Sequence, residues 1–268
     1  MSKIINIISY FLLFSQLVFS DTDISEVKEF DKLIGNRYYF KDNGYVQFFN
    51  DYIDIGEYNP NKESRFDITS YDVKYVINSK ITYVILENHQ DGKWLILFSE
   101  DMILAYNSDL NDPIFIGLSA GPRAFETFWP INKKNVEVSS FLTEKNFHYS
   151  GENITSLKSW QPWVEGKEGY GIGEYLTIDS LKHPSLMISI GFISYDKPYL
   201  YEYNSRPKKI KIIDLETNDS HVFELEDTPG LQQIKFNDFY SHKVKIIVEE
   251  VFPGTKWDDT CINFMINY

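Results

Sequence analysis

Turn signals recur along most of this chain, and the apolar runs between them are too short to make helices. Asp42-Asn43-Gly44, Asn59-Pro60-Asn61, Gln90-Asp91-Gly92 and Asn111-Asp112-Pro113 punctuate the first half. Gly, Pro, Asn and Asp at such positions supply the backbone angles and local hydrogen bonds that reverse a chain. The segments between them predict strands near 37–40, 46–49, 53–55, 66–68, 73–77, 82–87, 94–98, 103–106 and 114–116. Only 25–33, with Val27, Phe30 and Leu33 at helical spacing, reads as a helix before them. Consecutive short strands without intervening helices form antiparallel hairpins, which close into a small barrel or a sandwich. Asp91-Gly92 between two apolar runs is the clearest hairpin turn.

Periodicity fades after residue 118, where Gly121-Pro122 and Trp129-Pro130 mark an irregular stretch. The expected organisation is therefore a β domain over 21–120, a connection over 121–152 and a second β domain over 153–268. In the second, strands are expected near 175–178, 186–192, 209–214, 222–225, 232–236, 243–251 and 261–266. Lys209-Ile210-Lys211-Ile212 and Lys243-Val244-Lys245-Ile246 alternate with period two, so each has a wet lysine face and a core-facing aliphatic one. With aromatic residues at 16% of the chain, composition also favours sheet, because rings fit a half-buried pleated face. The fold class is all-β throughout.

The formal net charge of −13, with no basic run beyond Lys208-Lys209 and Lys211, disfavours nucleic acid and anionic membrane surfaces as partners. Cys261 is the single cysteine, so neither an internal disulfide nor a multi-thiolate zinc site can form. Residues 1–20, MSKIINIISYFLLFSQLVFS, have the features of a secretory signal. Lys3 begins a short apolar stretch, and Val18-Phe19-Ser20 offers a cleavage site before Asp21. The stretch falls short of the roughly 20 residues that span a bilayer. The expected product is exported, periplasmic or secreted, with no membrane span once the signal is cleaved.

Catalytic patterns are sparse. Gly117-Leu118-Ser119-Ala120-Gly121 has the spacing of a nucleophile elbow, which makes a serine hydrolase using Ser119 a minor alternative. That elbow needs a strand-to-helix turn, whereas Pro122 follows here and the surroundings read as antiparallel strands. Gly169, Gly171 and Gly173 precede a strand and not a helix, so they suit a bulge or a close backbone approach better than a phosphate loop. The five histidines show no metallohydrolase spacing, while Asn153-Ile154-Thr155 and Asn218-Asp219-Ser220 are glycosylation sequons.

Three stretches in order carry a family resemblance: Ser159 to Ile178 (SWQPWVEGKEGYGIGEYLTI), Tyr203 to Ile210 (YNSRPKKI) and Val251 to Ile262 (VFPGTKWDDTCI). Together, over about 155–268, they resemble the NADase-type glycan-binding domain, similar to the translocation domain of streptococcal NAD glycohydrolases and related to discoidin modules. The resemblance implies a galactose-binding-like jelly-roll β-sandwich that binds, probing a glycan or glycosylated surface, and does not imply NAD glycohydrolase chemistry. The smaller 21–120 domain compares only loosely with lipocalin-like barrels.

Candidate ligand contacts follow from residue chemistry. Trp160, Trp163 and Tyr170 either stack on the C–H face of a sugar or plug the end of the sandwich. Glu165, Glu174, Asp258 and Asp259 either bind sugar hydroxyls or cap turns. A structural Ca²⁺ is a further occupant for those oxygens, but the Asp-x-Asp-x-Asp-Gly loop is missing and no cofactor is expected. Asn204 and Arg206 either hydrogen-bond sugar oxygens or pin a turn. The expected function is a non-catalytic, exported carbohydrate-binding protein; the alternative is a module that recognises an envelope or secreted protein.

Overall fold

The computed structural model describes residues 35–40, 44–49, 53–57, 66–71, 73–78, 81–88, 92–99, 102–107, 114–118, 131–155, 161–194, 197, 199–236 and 242–267. The signal expected at 1–20, the helix expected at 25–33, Ser119 and Trp160 lie outside the described residues.

All nine strands expected in the first half are present: β1 (Arg37–Tyr39), β2 (Gly44–Phe48), β3 (Ile53–Glu57), β4 (Phe66–Tyr71), β5 (Val73–Asn78), β6 (Ile81–Asn88), β7 (Gly92–Phe98), β8 (Met102–Asn107) and β9 (Ile114–Leu118). They form one sheet in the order β4-β3-β2-β1-β9-β8-β7-β6-β5. Every pairing in it is antiparallel, including β1 with β9 through Tyr39 and Leu118. Three reversals lead from β1 to β4 and five from β1 to β5 the other way round, so β4 and β5 run in the same direction. Only residue 72 separates them in sequence, and they pair with β3 and β6 respectively. The sheet's two edge strands are therefore one residue apart along the chain and run in the same direction, the connectivity of a closed up-and-down barrel. Tyr38 and Phe48 meet edge to face, 6.0 Å between centroids. A Cβ at Gly117 would lie 2.7 Å from Ile103 Cγ1 and 3.0 Å from Tyr38 Cβ, so close packing inside the barrel requires glycine there.

The second half is a two-sheet sandwich. Its ordered strands are β10 (Val136–Val138), β11 (Thr143–Glu144), β12 (Phe147–His148), β13 (Trp163–Val164), β14 (Tyr175–Ile178), β15 (Ser185–Ile190), β16 (Arg206–Asp214), β17 (Ser220–Glu224), β18 (Gln232–Lys235), β19 (Val244–Phe252) and β20 (Cys261–Asn267). One sheet runs β10-β14-β19-β16-β17, the other β13-β20-β15-β18, and β11-β12 is a separate hairpin. Residues 136–138, expected within the connection, instead pair with β14 and extend the sandwich. The lysine alternation holds: Ile210, Ile212, Val244 and Ile246 are buried, while Lys209, Lys211, Lys243 and Lys245 keep solvent contact.

One apolar core joins the two sheets. Leu176, Ile178, Ile210, Ile212, Val244 and Ile246 face Trp163, Leu186, Ile188, Ile190, Ile262 and Met265. Each such side chain contributes about 1.5–3 kcal/mol when fully buried. β15 and β20 are buried at every residue, which is why both read as nearly continuous apolar runs and not as alternating ones. Among the described residues, no helix is long and apolar enough to cross a membrane.

Candidate functional site

Loops 139–149, 165–174, 191–205 and 253–260 gather at one end of the sandwich, where β14, β16 and β20 begin and β15 and β19 end. Arg206, the first residue of β16, organises this end. Its side chain is 7% exposed; Nε and Nη2 donate to the Asp227 carboxylate, each at 2.8 Å. Nη1 donates to the carbonyls of Tyr201 (3.0 Å) and Asn204 (2.8 Å), and the guanidinium lies 4.8 Å from the Tyr201 ring centroid. These bonds hold the one-turn helix α1 (Leu200–Tyr203) against the sandwich. Gly191, at φ +90, leaves room for the Tyr201 ring, which would be 2.5 Å from a Cβ there.

The 253–260 loop then docks on α1. Trp257 N donates to Tyr203 O at 2.8 Å, Thr255 N to Glu202 O at 2.9 Å, and Gly254 N to Ser205 Oγ at 2.9 Å. A Cβ on Gly254 would come within 2.4 Å of the Tyr203 carbonyl oxygen, so only glycine permits the approach. The result is an aromatic row, Tyr199 to Tyr203 at 5.0 Å and Tyr203 to Trp257 at 5.4 Å.

Between this row and the β11-β12 hairpin lies a cavity of about 420 Å³. Leu142, Val164, Tyr149 and Phe192 are among its apolar walls, with Phe147, Tyr199 and Trp257 also lining it; Asn204, Ser194, Lys197, Glu144 and Asp259 supply its polar atoms. Phe147, Tyr199 and Trp257 are all exposed, which leaves ring faces open to a ligand. Burial raises the Asp259 carboxyl above its ordinary value, and nearby Glu144 and Asp258 push the same way. Tyr149 is raised too, by burial first and then by Glu144 and Cys261.

The sequence-predicted contacts divide clearly. Asn204 and Asp259 line the cavity, and Asp258 is exposed beside it. Tyr170 is exposed on the neighbouring 165–174 loop, its carbonyl accepting from Thr260 Oγ1 at 2.7 Å. Trp163 is fully buried and donates from Nε1 to Ser140 O at 2.9 Å, so it belongs to the core and offers no ring face to a sugar. Glu165 is also fully buried: it accepts from Lys167 N at 2.7 Å and lies 3.4 Å from Thr260 N, tying two loops together. Burial raises its carboxyl, those backbone N–H groups oppose the rise, and Asp259 and Glu174 add to it. Glu174 accepts from Ser139 Oγ (2.6 Å) and Ser140 Oγ (2.5 Å), and Arg206 is the anchor described above; both act within the fold. Asn153 of the first sequon is buried, donating to His148 O and Pro162 O.

Residues the sequence reading missed include Trp257, Tyr199, Phe147, Phe192 and Glu144. Trp257 carried a signal, since it immediately precedes the two aspartates in a Gly/Pro loop. Phe147 and Glu144 sit in the stretch expected to be a connection. Among the described residues, no group of three or more His, Cys, Asp or Glu is placed to hold a metal.

The model of one protein family, the NAD glycohydrolase translocation F5/8 type C domain, matches residues 130–266. The chain belongs to this family. The match starts ahead of β10, in agreement with that strand's place in the sandwich. Solved structures similar to the chain include the CBM32 of AlyQ in complex with 4,5-unsaturated mannuronic acid, at 15% identity over 53% of this chain and 97% of that one, TM-score 0.35. CpGH89CBM32-5 from Clostridium perfringens, in complex with GalNAc-β-1,3-galactose, is similar at 12% identity over 52% and 97%, TM-score 0.38. The C-terminal domain of a chitobiase from Bacteroides fragilis is similar at 13% over 53% and 96%, TM-score 0.35. No curated protein sequence matches the chain.

Proposed function

We propose that this is an exported, non-catalytic binding protein whose C-terminal sandwich takes a carbohydrate in the cavity between α1, the β11-β12 hairpin and the 253–260 loop. The observation that carries the reading is the pairing of open ring faces (Trp257, Tyr199 and Phe147) with Asn204, Asp259 and Glu144 around one cavity. A pyranose has an apolar C–H face and a rim of hydroxyls. Rings stack on the first, and carboxylates and amides accept from or donate to the second. A cavity of about 420 Å³ lies within the size range of small-molecule sites. Loops and a short hairpin carried on a packed sandwich are a usual arrangement for a binding surface, which supports the reading.

Isothermal titration of the purified chain against a panel of mono- and oligosaccharides tests the reading. We expect saturable binding that Trp257→Ala weakens about fivefold or more, since losing a stacked ring costs on the order of 1 kcal/mol or more. A folded chain that binds no sugar refutes it. The second reading, recognition of an envelope or secreted protein, draws on Phe141, Tyr170 and Ile172, which are exposed outside the cavity. It predicts a protein partner whose binding survives Trp257→Ala and is lost on Ile172→Asp.

A further inference from the structure

Among the described residues, the cavity's two carboxylates have no counter-ion of their own. Among the described residues, neither Glu144 nor Asp259 forms an ion pair with a base, although both line the same space. Each raises the electrostatic cost of charging its neighbours: Glu144 acts on Asp259 and on Tyr149. Asp258, exposed on the adjoining residue, adds a third negative group. Among the described lining residues the one base is Lys197, which is exposed like Glu144, so the carboxylates outnumber it in the cavity.

The aromatic walls point the same way. A ring face carries negative quadrupolar potential and attracts a cation placed over it. The same aromatic row already holds one: Lys256 Nζ lies 4.5 Å from the Trp257 ring centroid and 5.2 Å from that of Tyr203, outside the cavity lining. An ammonium inside the cavity would meet the exposed rings of Phe147 and Tyr199 and the Glu144 and Asp259 carboxylates together. A neutral hydroxyl or acetamide gains much less from those carboxylates, and a uronate is repelled by them.

We propose that the cavity selects amine-bearing sugars, with the ammonium between Glu144 and Asp259 and the ring stacked on Trp257 or Tyr199. This rests on the carbohydrate reading above and specifies the ligand class. Selectivity comes from a difference: charge pairing favours the amine, and the same carboxylates disfavour an acid.

The test is calorimetric titration of the full chain at pH 6.5 with three matched ligands of equal length. These are glucosamine oligomers, their N-acetylated counterparts and glucuronate oligomers, with galactosamine and N-acetylgalactosamine as a second pair. The expected result is amine binding about tenfold or more tighter than acetylated binding, with the uronate weakest. Added NaCl should weaken amine binding more than acetylated binding. Glu144→Gln and Asp259→Asn should each bring the amine-to-acetyl affinity ratio towards one, with thermal melts confirming that both variants fold. Acetylated or acidic sugars binding as tightly as amines overturns the inference and leaves the carbohydrate reading standing. So does a preference that survives both substitutions. Failure of every sugar to bind the folded chain overturns both.

Discussion

Arg206 is the side chain on which the geometry of the site depends most, and its removal has a calculable effect. The guanidinium is 7% exposed and makes four hydrogen bonds: two to Asp227, and one each to the carbonyls of Tyr201 and Asn204. Arg206→Met keeps most of the stem's packing but deletes all four donors. Asp227 is 35% exposed, so water can take over its carboxylate, and that half of the loss is discounted. The two carbonyls are more enclosed, and leaving a buried acceptor unsatisfied costs about 1–3 kcal/mol. Together the change is expected to cost about 3 kcal/mol, below the full range for breaking a wholly buried pair. For a module of this size that is a fall in Tm of roughly 10 °C. Arg206→Lys retains charge without the planar fork and should recover less than half of the loss. Urea denaturation followed by tryptophan fluorescence measures the first quantity, with Trp163 in the core as the reporter. A cost under about 1 kcal/mol for Arg206→Met, or full recovery by lysine, would show that the fork does not hold α1 in place.

Three further outcomes follow from the same geometry. Trp163→Ala empties a fully buried site and should cost about 3–5 kcal/mol by denaturant titration, a loss that a merely ligand-stacking residue would not produce. Gly171→Ala should destabilise the chain in thermal melts, because Gly171 has φ +62 and a Cβ there would lie 2.5 Å from Glu165 Cγ; an unchanged Tm contradicts this. Glu165, raised above its ordinary value of 4.5 mainly by burial, holds its proton to higher pH in the folded chain than in the unfolded one. Stability contributed by this group is therefore complete below pH 4.5 and falls as pH rises through the folded value. Glu165→Gln removes that slope, so its stability relative to the parent should rise from pH 4 to 7; a difference flat or falling with pH refutes the assignment.

Local structure was legible because its determinants are local. The turn signals and the apolar runs between them located all nine first-half strands, and the lysine alternation oriented β16 and β19 correctly. Closure into a small barrel or a sandwich was expected from the strand spacing, but the pairing of Tyr39 with Leu118 joins distant parts of the chain, and no nearby residue encodes it. The sandwich's edge strand at 136–138 was hidden because Val136-Glu137-Val138 is too short to show a period. At the candidate site, Asn204 and Asp259 stood out because they sit in polar loops beside strand starts, and both line the cavity. Trp163 and Glu165 looked like ligand contacts for the same reason. Their burial arises only when loops 139–142, 165–174 and 258–261 close over them, which is a tertiary property. Phe147 and Trp257, in contrast, reach the cavity through a hairpin and a glycine turn that the sequence shows only as irregular chain.

The central claim is that ligand binds in the cavity walled by α1, the β11-β12 hairpin and the 253–260 loop, and NMR titration tests it most directly. Binding of an amino sugar should move the Trp257 indole N–H and the Asn204 side-chain amide, with the Trp163 indole N–H unmoved in its bond to Ser140. Shifts concentrated on the Tyr170–Gly173 loop or on the barrel strands, with Trp257 and Asn204 unmoved, would contradict the account.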